Sequence, residues 1–309
     1  MKLVDSNLNL KGNMKIDKTN DGVNFNEQSH VYWDDNGRYD SVTTVIGKFC
    51  HEFDSEFWSL YKALEKILEP AAFAMEKKKL LDFKKIDKRY FLDMYDIDEH
   101  TLNCKQQDIL DEWSQANLES CERGTAIHTD LEKSLTRNKS CEFKKYGLGG
   151  KFNVHSGDIP LDDERGIYPE YLIHVDDGDL RLAGQIDLLI KDGNSIWIID
   201  YKTNKELRDK SFFDSKTRKN QMMKYPLNNI MDCNKMHYTM QLSMYAWMIQ
   251  KNNPDLDIKK LILVHYDHKG NVTEHEIDYL KEDAERLIKY WKKRAKIERQ
   301  KEKRKPIEF

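Results

Sequence analysis

The chain has 309 residues, of which 39% are hydrophobic and 34% charged, and its 51 Lys+Arg against 54 Asp+Glu leave a net charge of −3. That balance excludes a global basic field, so any contact with nucleic acid must come from local patches. No apolar run approaches the roughly 18 residues of a membrane span, and the start MKLVDSNLNLKGNMK lacks the apolar centre of a secretory signal, so a soluble cytoplasmic protein is expected.

In chain order, residues 1–27 read as a polar lead-in. HVYWDDNGRYDSVTTVI (30–46) alternates aromatic and polar residues around an Asp-Asn-Gly turn, a hairpin signal. Residues 51–120 turn helical, punctuated by Pro70, and 28–120 forms an N-terminal hairpin and helical region. A further helix is expected over 121–135, with Ile127, Leu131 and Leu135 on its buried face, then a polar loop over 136–166. YPEYLIHV, DLRLAGQIDLLI and SIWIIDYKT are three strand-like runs joined at Asp177-Gly178 and Asp192-Gly193, which suggests an antiparallel meander. Residues 204–235 read as a mobile loop, 236–252 as a helix, KKLILVHYD and VTEHEID as two more strands, and residues 279–305 as a charged helix. The sum is a mixed α/β core over 121–309 with helices packed on a central sheet. The five cysteines are widely spaced with no C-x-x-C pair, so reduced, mostly buried thiols are expected and a zinc or iron–sulfur site is poorly supported.

The chemistry concentrates in Gly184-Gln-Ile-Asp187 and Ile199-Asp200-Tyr201-Lys202. Alternation puts Ile196, Ile198, Asp200 and Lys202 on one strand face, which starts apolar and ends in a carboxylate and an amine. Pairing through the Asp192-Gly193 turn brings Asp187 towards Asp200, and two close carboxylates call for a cation or a proton between them. Oxygen ligands of this kind suit Mg²⁺ or Mn²⁺. Gly124-Thr-Ala-Ile-His128 adds an imidazole, with Glu132 one turn on. Gln241 and Tyr245 share a helix face, and Glu170 is a carboxylate inside an apolar strand.

This order of motifs (G-T-x-x-H, E in a strand, G-x-I-D, D-x-K, Q-x-x-x-Y) resembles the PD-(D/E)XK nuclease superfamily. It is most similar to the RecB-like exonuclease branch, which includes phage-encoded and mitochondrial genome maintenance exonucleases. The Ser41-Val-Thr43 segment extends the likeness. The resemblance implies a restriction-endonuclease-like core and a metal-dependent DNA exonuclease leaving 5′-phosphates, with roles in replication, recombination or repair. The alternatives are a structure-specific endonuclease of the same fold and a non-catalytic nucleic-acid-binding protein. It further implies that Asp187, Asp200, His128 and the Tyr201 carbonyl bind metal, and that Lys202 orients or activates water. Gln241 and Tyr245 would support the site and, with Ser41 and Thr43, contact DNA. Glu170 would hold a second metal or a water, and Glu132 would orient His128. A lysine beside a divalent cation is expected to have a lowered pKa. Some relatives carry three cysteines after the Q-x-x-x-Y motif; none follows Tyr245 here, so no iron–sulfur cluster is expected. The basic runs 77–89 and 292–305 are candidate DNA contacts, and a helicase or single-strand-binding partner follows by analogy. The small size and Asn- and Lys-rich composition suggest a phage origin, in which case the host cytoplasm is the location.

Overall fold

The computed structural model describes residues 18–155, 160–214 and 217–303. Its elements are β1 (Lys18–Asn20), β2 (Val23–Asn26), β3 (Val31–Asp34), β4 (Gly37–Ser41), α1 (Val42–Gly47), α2 (Ser55–Ile67), α3 (Pro70–Phe83), α4 (Lys88–Tyr95) and α5 (Glu99–Thr136). They continue with β5 (Ser140–Glu142), β6 (Lys151–Val154), β7 (Arg165–Asp176), β8 (Arg181–Asp192), β9 (Ser195–Lys202), β10 (Phe213–Asp214), β11 (Lys219–Asn220), α6 (Asn234–Asn252), β12 (Asp257–Tyr266), β13 (Val272–Ile277) and α7 (Lys281–Lys303).

The chain divides into two compact units. The first comprises the described residues of Met1–Cys50, Ile127–Phe212 and Gln221–Phe309, the second His51–Ala126 and Phe213–Asn220. The second unit is built on α2, α3, α4 and the part of α5 up to Ala126. Asp54 caps α2 by accepting from the Phe57 amide at 2.9 Å. Pro70 opens α3, where its missing N–H costs nothing. Phe57, Leu60, Leu64, Phe73, Phe91, Leu102 and Ile109 form the core of this unit. Two polar groups inside it are satisfied. The Gln106 amide donates to Ser59 Oγ at 3.0 Å, and the Tyr90 and Tyr95 hydroxyls donate to the Glu76 carboxylate at 2.7 and 3.1 Å.

The first unit is a mixed sheet flanked by helices. Eleven strands run β1-β2-β3-β4-β8-β7-β6-β5, with β9, β12 and β13 branching from β8. The expected meander is present, since β7–β8 and β8–β9 are both antiparallel. β12 then returns parallel to β9, and β13 pairs with it antiparallel. β8 is the hinge of this topology. One edge pairs with β7 along its whole length. The other edge is shared: β4 takes Leu182 and Ala183, and β9 takes residues 188–192. The stretch 184–187 lies between the two, without a ladder partner on that side among the described residues.

Several expectations need correction. The polar lead-in is described only from residue 18, and there it forms β1 and β2; residues 1–17 lie outside the described residues. Residues 42–47 continue the hairpin as a helix because the Ser41 side chain caps it. The helix expected over 121–135 is the last part of the 38-residue α5, and no break occurs at 120. The expected loop over 136–166 holds β5 and β6, and residues 156–159 lie outside the description. The segment expected as a mobile loop, 204–235, carries the β10–β11 hairpin and a Met222–Met231 bridge, with 215–216 outside the description. The thiols are not mostly buried: Cys104 and Cys121 are exposed on α5 and only Cys233 is buried. Arg304 and Lys305 of the terminal basic run lie outside the described residues. Among the described residues, no helix is long and apolar enough to cross a membrane.

Candidate active site

The site grows from a shared irregularity in β7 and β8. Before Glu170, Tyr168 faces the main core and Ile167 the opposite cluster. After it, Tyr171, Ile173 and Val175 face the main core, so the odd and even positions have exchanged faces. β8 does the same at Asp187: Leu182 and Ile186 face the main core before it, Leu189 after it. The strand register keeps Glu170 opposite Asp187, and the ladder skips this one pair. The slip needs an unusual backbone, and Glu170 supplies it with φ +53°. For a residue with a Cβ that conformation is strained, as is common where side chains are re-aimed for function.

His128 reaches the same place from α5. Its Nδ1 lies 3.7 Å from Glu170 Oε1 and 3.6 Å from Asp187 Oδ1. Its Nε2 is 3.2 Å from the Tyr201 carbonyl oxygen. His128, Glu170 and Asp187 thus offer ligand atoms within 4.8 Å of one another. Two carboxylates and an imidazole beside a carbonyl oxygen suit a divalent cation, so the residues present fit the metal that the motifs imply. Burial alone would favour a neutral imidazole, but the Glu170 and Asp187 carboxylates outweigh it and raise the His128 pKa to about 9. Asp187, more deeply buried, is pushed up by desolvation against the pull of His128 and Lys202. Its second oxygen has a structural role, because Oδ2 accepts the Tyr201 amide at 2.7 Å. The carboxylate thereby takes the place of the backbone rung that β8 and β9 lack beyond Leu188 and Ile199.

Asp200 and Lys202 lie on the neighbouring strand. Ile196 and Ile198 precede them in the main core, while Trp197, Ile199 and Tyr201 pack in the opposite cluster, as strict alternation requires. Asp200 is buried, and desolvation pushes its pKa up to about 6 despite Lys202. Lys202 Nζ lies 2.6 Å from Asp200 Oδ2. Burial alone would lower the lysine, but the Asp200 and Asp187 carboxylates outweigh it and raise its pKa. That is the direction set by the carboxylates alone; the expected depression concerns Lys202 beside a bound divalent cation. Asp200 stands outside the group of three formed by His128, Glu170 and Asp187.

Gln241 and Tyr245 lie behind this pair. The Gln241 amide donates to Asp200 Oδ1 at 3.4 Å and to the Tyr245 hydroxyl at 3.1 Å. With 8% and 3% exposure, both side chains are buried and buttress the carboxylate from inside the core. Gly184 makes room for them: a Cβ there would fall 2.4 Å from Tyr245 Cε1. Ser41 is likewise buried, its hydroxyl accepting from the Thr44 amide at 3.1 Å as a helix cap, so it is committed to structure; Thr43 is exposed. Glu132 is half-buried one turn beyond His128 and outside the group of three. Tyr238 was not among the expected site residues. Its ring lies under the Lys202 ammonium at 4.6 Å, and its hydroxyl donates to Asn204 at 2.6 Å. The signal was its position one turn before Gln241 on the same helix face.

Comparison with curated proteins finds no match. Among solved structures, the chain is similar to SSO0001 (18% identity, TM-score 0.31, 60% of this chain), of which it spans 63%, less than two thirds. It is also similar to a candidate exonuclease from Eubacterium rectale (12% identity, TM-score 0.34, 84% of this chain and 82% of that one). A family model matches residues 106–308, well over half of the sequence and all of the side chains that meet around Asp187. On that match, the chain belongs to the PD-(D/E)XK nuclease superfamily.

Proposed function

We propose that the protein is a metal-dependent DNA exonuclease that leaves 5′-phosphates and serves replication, recombination or repair. The observation that carries the nuclease reading is the convergence of His128, Glu170 and Asp187 beside the Asp200–Lys202 pair. The motif order ending in Gln241 and Tyr245 supports the exonuclease form. His128, Asp187 and Asp200, with the Tyr201 carbonyl, would hold Mg²⁺ or Mn²⁺, and Glu170, grouped with His128 and Asp187, would hold a second ion or a bound water. When bound, the ion supplies positive charge at the scissile phosphate and acidity for the attacking water.

The remaining chemistry belongs to the chain. Asp200 fixes the Lys202 ammonium, and Gln241 fixes Asp200 from behind. Lys202 offsets the charge that accumulates on the phosphate oxygens as water attacks in line and the 3′ oxygen departs. Exposed Lys77, Lys78 and Lys79 are candidate backbone contacts of the second unit.

End-labelled linear and circular DNA, single- and double-stranded, tests the reading with wild type, wild type plus EDTA, and Lys202→Ala. Loss of linear DNA only in the metal-loaded wild type is the expected result. Cutting of covalently closed circles would replace the exonuclease by an endonuclease. Full activity in EDTA or in Lys202→Ala would overturn the site assignment.

A further inference from the structure

A second group of metal-ligating side chains lies outside the candidate active site. Cys50 follows α1, Asp232 precedes α6, and His237 lies in the first turn of α6. Each offers one ligand atom, and the three atoms lie within 4.8 Å of one another. The Asp232 side chain is only 5% exposed, and a carboxylate so deep needs positive charge or donors around it. His237 Nε2 stands 2.6 Å from Asp232 Oδ1.

The backbone holds this cradle independently of the three side chains. The Lys224 amide donates to the Phe49 carbonyl at 2.7 Å, which ties the turn after α1 to the segment before α6. The Asp232 amide donates to the Gln221 carbonyl at 2.9 Å, and the His237 amide to the Cys233 carbonyl at 3.0 Å. Segments remote in sequence are therefore fixed around one point.

The donor set favours a borderline-soft ion. One sulfur, one imidazole nitrogen and one carboxylate oxygen are poorly matched to Mg²⁺ or Ca²⁺ and well matched to zinc. Zinc bonds of about 2.3 Å to sulfur and about 2.0–2.2 Å to nitrogen and oxygen place neighbouring donors roughly 3.5 Å apart in a tetrahedron. The three ligand atoms lie within 4.8 Å of one another, and the 2.6 Å between His237 Nε2 and Asp232 Oδ1 must lengthen for both to bind one ion. A thiolate and a carboxylate also balance the charge of a divalent ion. We propose that Cys50, Asp232 and His237 form a zinc site distinct from the nuclease centre, with water as fourth ligand. It fastens the turn after α1 to the start of α6, the helix that carries Gln241 and Tyr245. The cysteine spacing alone offered no such site; the fold brings a histidine and an aspartate to one of the cysteines.

The test uses the full chain, stripped of metal and titrated with Zn²⁺ or Co²⁺. One tightly held Zn²⁺ per chain is expected, along with a rise in melting temperature on zinc addition. Co²⁺ should give thiolate-to-cobalt charge-transfer absorption in the near ultraviolet. That band should vanish in Cys50→Ala, weaken in His237→Ala and persist in Asp187→Asn, whose site contains no thiol. Absence of the band in wild type, or its persistence in Cys50→Ala, overturns the proposal. If Cys50→Ala does not fold, the wild type, His237→Ala and Cys233→Ala decide: a band lost in Cys233→Ala but unchanged in His237→Ala also overturns it. Because the readouts are metal content and spectrum, failure here leaves the nuclease reading untouched.

Discussion

Glu170 and Asp187 stand opposite each other on adjacent strands, and the β-ladder skips that one pair while keeping its register on both sides. Both strands exchange their two faces there, and the two carboxylates are turned towards His128. The left-handed backbone of Glu170 makes a discriminating substitution available. Glu170→Gly should melt above Glu170→Ala by about 1 kcal/mol, or roughly 3 °C, although glycine normally weakens a strand. Both should lose divalent-ion affinity. Calorimetric melting compares the two, and a higher melting temperature for the alanine variant would remove the strain argument.

Gly184 is required by Tyr245. A methyl group there meets the ring at 2.4 Å, and the ring sits in a closed core. Gly184→Ala should destabilise by about 1–3 kcal/mol through overpacking and disturb Gln241 behind Asp200. Denaturant unfolding provides the check. A paired Gly184→Ala, Tyr245→Leu variant should recover part of the loss; no recovery would place the cost elsewhere.

Lys202 is one half of a buried pair, and the two halves do different work. Lys202→Met should reduce turnover roughly 100-fold or more, the usual scale for a group that stabilises transition-state charge. Lys202→Arg should retain more activity, though the bulkier guanidinium must share the space over Tyr238. Steady-state kinetics on a defined oligonucleotide separates the variants. Equal kcat in Lys202→Met and wild type would show that the ammonium is spectator charge.

Asp34 and Arg181 predict an acid response away from the site. Burial would raise the Asp34 pKa, but hydrogen bonds from Arg181 and Tyr39 and the guanidinium charge bring it down to about 2 from 3.8. A depressed carboxylate contributes stability that is complete above its unfolded value and fades as pH falls towards its folded one. Asp34→Asn should therefore cost about 1–2 kcal/mol at neutral pH, and that difference should shrink between about pH 4 and about pH 2. Melting curves across that window decide it; a gap that persists at the acid end would rule out the ion pair as its source. The interaction matters because β4 meets β8 through only Asp40 and Ser41, and Arg181 secures the hairpin beside that short contact.

Much of the site was legible because a strand has a period of two. Ile196, Ile198 and Asp200 share a face for that reason, and the turn at Asp192-Gly193 fixed which residues oppose which. The importance of Glu170 was only half legible, because its role depends on a backbone slip that no local pattern announces. The length of α5 was missed because Gly124 and the polar residues around it suggested a new start, yet one glycine costs a helix only about 1 kcal/mol. β5 and β6 were hidden by the Gly- and Asp-rich stretch around them. The shared edge of β8 is a property of three strands at once and has no signature in any one of them.

That shared edge changes how an inactive variant should be understood. Among the described residues, the sheet contains a short unpaired margin in its interior between β4 and β9, a feature that proteins ordinarily keep to their periphery. Asp187 closes part of it by accepting the Tyr201 amide while its other oxygen faces His128. The aspartate is therefore a proposed metal ligand and a substitute rung of the sheet in one side chain. Removing it altogether strips the seam as well as the charge, whereas an asparagine keeps an oxygen for the amide and gives up only the charge. A loss of activity in the alanine form alone would conflate a broken seam with a missing ligand.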